Sequence, residues 1–456
     1  DNTEIVKRIA NTRLRLANLL GYECYADYVL EERMAKNTPT VRAFLGELLD
    51  ETKRYADADY RTIAGYAASQ GFEGTLMPWD WAYYSEKYKR EKYALDAETV
   101  KPYFELERVK KGVFLLAEKL YGLHFTPNPA VAVYHPDVTA YDVTDAEGRF
   151  MAVLYLDFFP RASKNSGAWM TEFRGTKCAD GKETRPLVSL VMNFTKPTEK
   201  SPSLLTFDEV ETFLHEFGHS LHGMLGEGSY ESLTGTNVSR DFVELPSQIM
   251  ENWATEPEML RAYAKHYATG ETLPANMIAR IVRSKLFNQG FMTAELLAAA
   301  QLDMDIHTLG ASDTLDPTEL ERRSLYEQRG LLPQIAPRYR YPYFAHIFNG
   351  DGYAAGYYSY LWSQMYDEDA YEAFRQSGDV FSRELARSYR RNILERGAAE
   401  PGASLYRNFR GSDPDIRPLL VARGLAPAPS SYDTTAVRDT AVILQVSADT
   451  TDGKRQ

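Results

Sequence analysis

A chain of 456 residues with 44% hydrophobic and 25% charged residues has the composition of a globular protein large enough for two or three structural units. Its net charge of −12 argues against a nucleic-acid binder, which needs a basic surface to neutralise phosphates. No run approaches the ~18 consecutive apolar residues of a membrane span. Two cysteines, Cys24 and Cys178, are too few for a disulfide framework or a cysteine-rich zinc site, and both are expected to be buried apolar fillers. The chain begins at Asp1 and shows no signal-peptide pattern. A cytoplasmic setting is expected, with a periplasmic one open should a targeting segment precede this stretch.

Residues 1–125 read as helical. Ile5, Ile9, Leu16 and Leu19 lie on one face at helical spacing, and Gly21 is a natural stop. The amphipathic pattern returns over 40–56 and 105–120. Between them Tyr55, Tyr60, Tyr66, Tyr83, Tyr84 and Tyr88 read as packing residues. Over 126–196 the pattern changes to short β-branched or aromatic runs at 130–134, 140–143, 150–157 and 186–193, separated by turn signals such as Asp145-Ala146-Glu147-Gly148. They predict a small sheet of about three to five strands. Helical periodicity dominates again from 206 to about 425, so 126–425 reads as a second region, a small sheet followed by helices. Residues 426–456, rich in Pro, Ser, Thr, Asp and Ala, read as a tail outside the folded unit. The expected fold class is mainly α with a small β-sheet, an α+β arrangement.

The best-defined element follows Thr206-Phe207-Asp208-Glu209, a capping-box pattern with Thr at the N-cap and Glu three residues on. Val210, Phe213, Leu214, Phe217, Leu221, Met224 and Leu225 then form a helical apolar stripe, and Gly226 and Gly228 end it. Within this helix stands His215-Glu216-Phe217-Gly218-His219. Residues four apart on a helix differ by about 40° of rotation and ~6 Å of rise, so the two imidazoles can share one zinc ion. Glu216, rotated about 100° from His215, is poorly placed as a ligand but can reach a water that the metal acidifies. The pattern points to metal-assisted hydrolysis with Glu216 as general base. His222 shares a similar face, but three ligands from one helix would strain tetrahedral geometry, so it is read as a packed or hydrogen-bonded histidine.

A catalytic zinc needs a third protein ligand. Spacing offers Glu227, Glu231, Asp241, Glu244 and Glu251, and the segment from Asp241 to Glu251 is the natural source. Pro246 is tolerated near a helix start, which puts Glu244 close to a helix N-terminus. Spacing does not choose between Glu244 and Glu251.

The stretch His215-Glu-Phe-Gly-His219-Ser-Leu-His-Gly followed by Leu233-Thr-Gly-Thr-Asn-Val-Ser-Arg-Asp-Phe-Val-Glu244-Leu-Pro-Ser-Gln248 resembles the thimet oligopeptidase family of zinc peptidases. So do Ser166-Gly-Ala-Trp-Met170, Tyr353-Ala-Ala-Gly-Tyr-Tyr-Ser-Tyr-Leu-Trp362 and Leu405-Tyr-Arg-Asn-Phe-Arg-Gly411, so the likeness runs over essentially residues 1–425. The resemblance implies a zincin-like catalytic domain in a helical peptidase fold, with 1–125 as part of a channel wall. It assigns the third zinc ligand to Glu244, and His346, Tyr353 and Tyr360 to the substrate side as hydrogen-bond donors. It implies one Zn2+ per chain, short peptide substrates and a monomer, with release of C-terminal dipeptides as the leading activity. Two alternatives are an endo-acting oligopeptidase and a zinc-holding but inactive peptide-binding fragment, the latter because family members carry a further helical region before this chain's first residue. Asn349-Gly350-Asp351-Gly352, rich in residues tolerant of unusual backbone angles, is expected as a mobile loop over the site.

Overall fold

A computed structural model describes residues 2–93, 97–310 and 315–427, and over these the chain is mainly helical with one small mixed sheet. The expected tail lies, beyond Pro427, outside the described residues. The first helix, Asn2–Leu19, forms as expected but buries another face: Val6, Ala10, Arg13, Leu14 and Ala17 point inward, while Ile5, Leu16 and Leu19 are 50%, 43% and 84% exposed. The reason is Arg13. Its guanidinium is buried and donates to Ile347 O at 2.6 Å and Gly350 O at 2.7 Å, which turns its side of the helix toward the core. Helix Thr38–Ser69 starts at Asn37, whose side chain accepts from Thr40 N, and packs along helix Gln289–His307.

The strands are β1 (His124–Pro127), β2 (Thr139–Thr144), β3 (Phe150–Asp157), β4 (Trp169–Arg174), β5 (Lys177–Ala179), β6 (Lys182–Thr184) and β7 (Leu187–Val191). Five of them form one sheet in the order β1-β2-β3-β7-β4, antiparallel except for the β3–β7 pair. From Met151 to Asp157 strand β3 is buried throughout, as its unbroken apolar run requires of a central strand. The expected strand over 130–134 does not form. Asn128 accepts from Ala130 N in a tight turn, and Tyr134 turns its hydroxyl to Asp157 and Ser189 instead of pairing. Strands β1 and β4 were not anticipated; both lie at edges of the sheet, where few buried side chains mark them. Cys24 is buried as expected, but Cys178 is exposed on the small β5–β6 ribbon. No helix among the described residues is long and apolar enough to cross a membrane.

The sheet and the helices share one core, in which buried side chains from Val6 to Leu425 are contiguous. Helix Phe207–Leu225 runs across it, with Phe213 5.1 Å from Phe158 and Phe217 5.7 Å from Phe125 between ring centroids. Helix Leu245–Glu251 crosses Phe207–Leu225 at Gly218, where an added Cβ would stand 2.2 Å from Pro246 O and 2.6 Å from Ser247 Cα. Both obstructing atoms are backbone, so neither can rotate away. Gly218→Ala should therefore destabilise the fold by at least the ~1–3 kcal/mol typical of overpacking, despite alanine's higher helix propensity. Denaturant unfolding checks this, and a variant as stable as the parent would mean that the helices can separate freely.

Candidate metal centre

Thr206 accepts from Glu209 N while Glu209 accepts from Thr206 N, so the capping box forms and sets where helix Phe207–Leu225 begins. One turn apart on it, the rings of His215 and His219 lie 5.0 Å apart and nearly perpendicular. Glu244 sits between two short helical turns, Arg240–Val243 and Leu245–Glu251, the second opened by Pro246. Its Oε2 lies 3.2 Å from His215 Nε2 and 3.1 Å from His219 Nε2. The ligand atoms of these three residues fall within 4.8 Å of one another, the one such group among the described residues.

Glu244 and Glu251 are both used, on opposite edges of one ring. Glu251 Oε1 is 2.6 Å from His215 Nδ1, a contact that fixes the imidazole with Nε2 toward Glu244. The Glu244 carboxylate is itself held by Ser247 Oγ at 2.9 Å on Oε2 and by the Tyr353 hydroxyl at 3.0 Å on Oε1. Burial works against both charges, but mutual contact prevails: Glu244 is held well below the usual carboxylate range by His219 and His215, and His215 well above the usual imidazole range by Glu244 and Glu251. Glu216 is buried with Oε2 unpartnered, and burial raises its carboxyl against the pull of His215 and His219.

The remaining carboxylates named from spacing have other tasks. Asp241 is fully buried and accepts from Met34 N at 3.0 Å, Ala35 N at 3.1 Å and the Tyr358 hydroxyl at 2.7 Å. Glu231 accepts from Gly175 N, and Glu227 is exposed. His222 is fully buried with neither ring nitrogen hydrogen-bonded, and burial pushes it down to about 3, so it stays neutral. It is a packed histidine.

His346, Tyr353 and Tyr360 gather beside Glu244. The rings of Tyr353 and Tyr360 stack 5.3 Å apart, and His346 lies 5.9 Å from Tyr353 and 6.4 Å from Tyr360. His346 Nδ1 is buried without a partner. Burial and the nearby negative charge of Glu244 raise both phenols, so they remain protonated donors. The 349–352 loop is tethered, because Arg13 donates to Gly350 O and to Asp351 Oδ1 at 2.9 Å. Sequence reasoning did not find Arg240, whose guanidinium stacks 4.9 Å from the Tyr353 ring centre; an arginine four residues before a candidate ligand is the signal that was there.

Two imidazole nitrogens and one carboxylate oxygen turned toward one another form a donor set suited to a divalent transition-metal-type cation. The model of Peptidase family M3 matches residues 1–425. The chain belongs to peptidase family M3. Membership of this metallopeptidase family implies a bound metal. Dipeptidyl carboxypeptidase of Escherichia coli is 42% identical over 427 residues, covering 93% of this chain and 62% of that protein. Oligopeptidase A of Escherichia coli is 36% identical over 430 residues, with the same shares of 93% and 62%. The chain thus spans 62% of the length of these curated relatives. In fold it is similar to a solved structure described as an oligoendopeptidase F from Bacillus anthracis, with a TM-score of 0.51 at 14% identity over 92% of this chain and 61% of that one.

The two glutamates on His215 should separate by experiment. Glu244→Ala should abolish stoichiometric metal retention, whereas Glu251→Ala, losing only the contact at Nδ1, should weaken affinity about 10–100-fold. Elemental analysis and chelator competition measure both; full metal loss in the second variant alone would reverse the two roles.

Proposed function

We propose that this chain is a zinc peptidase that releases dipeptides from the C-termini of short peptides, with one zinc ion held by His215, His219 and Glu244. The observation that carries the hydrolytic reading is the convergence of Glu244 Oε2 on both Nε2 atoms beside a buried, unpartnered Glu216. The likeness to dipeptidyl carboxypeptidase supports the dipeptide-releasing mode.

When bound, zinc acidifies a coordinated water and polarises the scissile carbonyl. Glu216, buried with Oε2 unpartnered beside the two histidines, takes the proton of the attacking water and then hands it to the leaving amine. The Tyr353 hydroxyl, which otherwise rests on Glu244 Oε1, and the stacked Tyr360 supply donors for the developing oxyanion. His346, with a free buried ring nitrogen, is available to the peptide backbone. Glu251 keeps the His215 ring from turning through the cycle.

The likeness to oligopeptidase A favours a second reading, in which internal bonds of short peptides are cut by the same machinery. Early products distinguish the two. A pentapeptide with a free C-terminus should lose its C-terminal dipeptide first by mass spectrometry. Cuts at internal bonds irrespective of the chain end would establish the oligopeptidase mode instead.

Glu216→Gln keeps the shape of the side chain but cannot accept a proton. It should retain zinc and lose about 10²–10⁴ in kcat. Activity within tenfold of the parent would remove Glu216 from the role of base.

A further inference from the structure

The segment that presents the substrate-side donors has little regular backbone of its own. His346 lies on the four-residue helix Ala345–Phe348 and Tyr360 in the first turn of helix Ser359–Gln376, while Tyr353 stands in the turns between them. Such a stretch keeps one shape only where other groups take up its backbone donors and acceptors. Two side chains from distant helices do so. Arg13 donates to Ile347 O at 2.6 Å and to Gly350 O at 2.7 Å, and Asp303 accepts from Ala355 N at 2.9 Å and Tyr357 N at 2.8 Å. The backbone is thus tied immediately after His346, two residues after Tyr353 and three before Tyr360.

The two anchors are joined through His307. Arg13 has only donors to offer, so its contact with His307 Nε2 at 3.0 Å makes that nitrogen the acceptor. The partners then assign the ring proton to Nδ1, which faces Asp303 Oδ1 at 2.8 Å. Guanidinium, imidazole and carboxylate follow in line, and all three side chains are buried. Tyr25 and Phe348 cover the guanidinium, their ring centres 5.4 Å and 5.9 Å from its central carbon. Opposite charges buried in this way hold one arrangement, because any shift leaves a charge or a backbone group unpaired away from water. Apolar side chains would fill the same volume at no loss of stability, so packing alone does not account for the trio. What it imposes is visible at Ala355, whose φ of 52° is a conformation an alanine adopts only under constraint.

We propose that Arg13, His307 and Asp303 are positioning residues for hydrolysis, which together set where the Tyr353 and Tyr360 hydroxyls and the His346 ring stand relative to the metal centre. The proposal rests on the reading of those three as donors to the substrate. A donor acts through where it stands when charge develops, and a displacement of about 1 Å can cost ~10²-fold in rate. The effect therefore falls on kcat.

The test is a double-mutant cycle on zinc-loaded protein and one short peptide, comparing the parent, Asp303→Asn, the pair Tyr353→Phe with Tyr360→Phe, and all three substitutions together. Asp303→Asn keeps the volume but loses an acceptor oxygen. It should retain the metal and a KM within about threefold of the parent, while kcat falls about 10–100-fold. In the protein lacking both hydroxyls the same substitution should cost no more than about threefold in kcat, since the donors it places are already gone. An unchanged kcat in Asp303→Asn, loss of its metal, an effect on KM alone, or an equal fall in kcat in both backgrounds overturns the positioning role while the donor reading stands. Tyrosine variants with the parent's kcat overturn the donor reading and the positioning role together. Arg13→Lys keeps the charge without the fork that reaches Ile347 O and Gly350 O. Taken through the same cycle, it should repeat the pattern at smaller amplitude, and it carries the test where Asp303→Asn does not fold.

Discussion

The backbone of Pro246 and Ser247 rests on helix Phe207–Leu225 at Gly218, with no room between them for a methyl group. That contact determines where the chain can place a carboxylate relative to the two histidines. Gly218 immediately precedes His219 and follows His215 by three residues, so whatever crosses it must pass beside both rings. Pro246, in the first turn, contributes no N–H that would need a partner at this crossing. Glu244, two residues before Pro246, then faces both Nε2 atoms, and Glu251 at the far end of the same short helix reaches His215 Nδ1. A wider crossing would move both carboxylates off the rings at once.

The tyrosine side of the site is positioned by a different device, a chain of buried polar groups. Arg13 on the first helix meets His307 Nε2 at 3.0 Å, and His307 Nδ1 meets Asp303 Oδ1 at 2.8 Å. Asp303 then accepts from Ala355 N at 2.9 Å and Tyr357 N at 2.8 Å. Ala355 has a φ of 52°, a left-handed conformation that costs an alanine free energy and persists only where its surroundings impose it. Both carboxylate oxygens of Asp303 are thus spent on holding the turn between Tyr353 and Tyr360. The first helix buries an arginine rather than its isoleucines because this chain needs a charged terminus, and the face carrying Ile5 and Leu16 is left outside.

Helix Phe207–Leu225 was legible because its signals are local: the capping box, the apolar stripe and the histidine pair all lie within one continuous segment. The choice between Glu244 and Glu251 was not legible, since residues seven apart lie on one helical face and the two differ only in which edge of a ring they meet. Recognition of the longer motif assigned the ligand role to Glu244, whose Oε2 stands 3.2 Å and 3.1 Å from the two Nε2 atoms. His346, Tyr353 and Tyr360 could be grouped by resemblance alone, because what brings them together is Asp303, some fifty residues earlier in the chain. The sheet shows the same divide. Strand β3 announces itself by burial on both faces, whereas β4 depends on pairing with β7, a nonlocal contact that its half-buried sequence does not encode. The run over 130–134 has strand composition, but Asn128 and Pro129 direct it into a turn.

Electrostatics link the two sides. Glu216, Glu244, Glu251, Asp367 and Glu368 all act on one another or on the same histidines, and burial disfavours charge on Glu216, Glu244, Asp367 and Glu368. Lys285 and Arg423 offset part of this, and burial brings Arg423 itself down to about 10. What remains is a concentration of carboxylates around His215 and His219. In the protein without a metal it is met at His215, whose imidazole Glu244 and Glu251 hold well above its usual range. A divalent cation at the same point would replace the proton on His215 and add to the balance, so metal binding should release it and draw on the same free energy that the fold spends in burying these carboxylates. The accumulation of acids near the histidines is therefore part of the affinity of the centre, and removing any one of them should alter metal binding even where it touches no ligand.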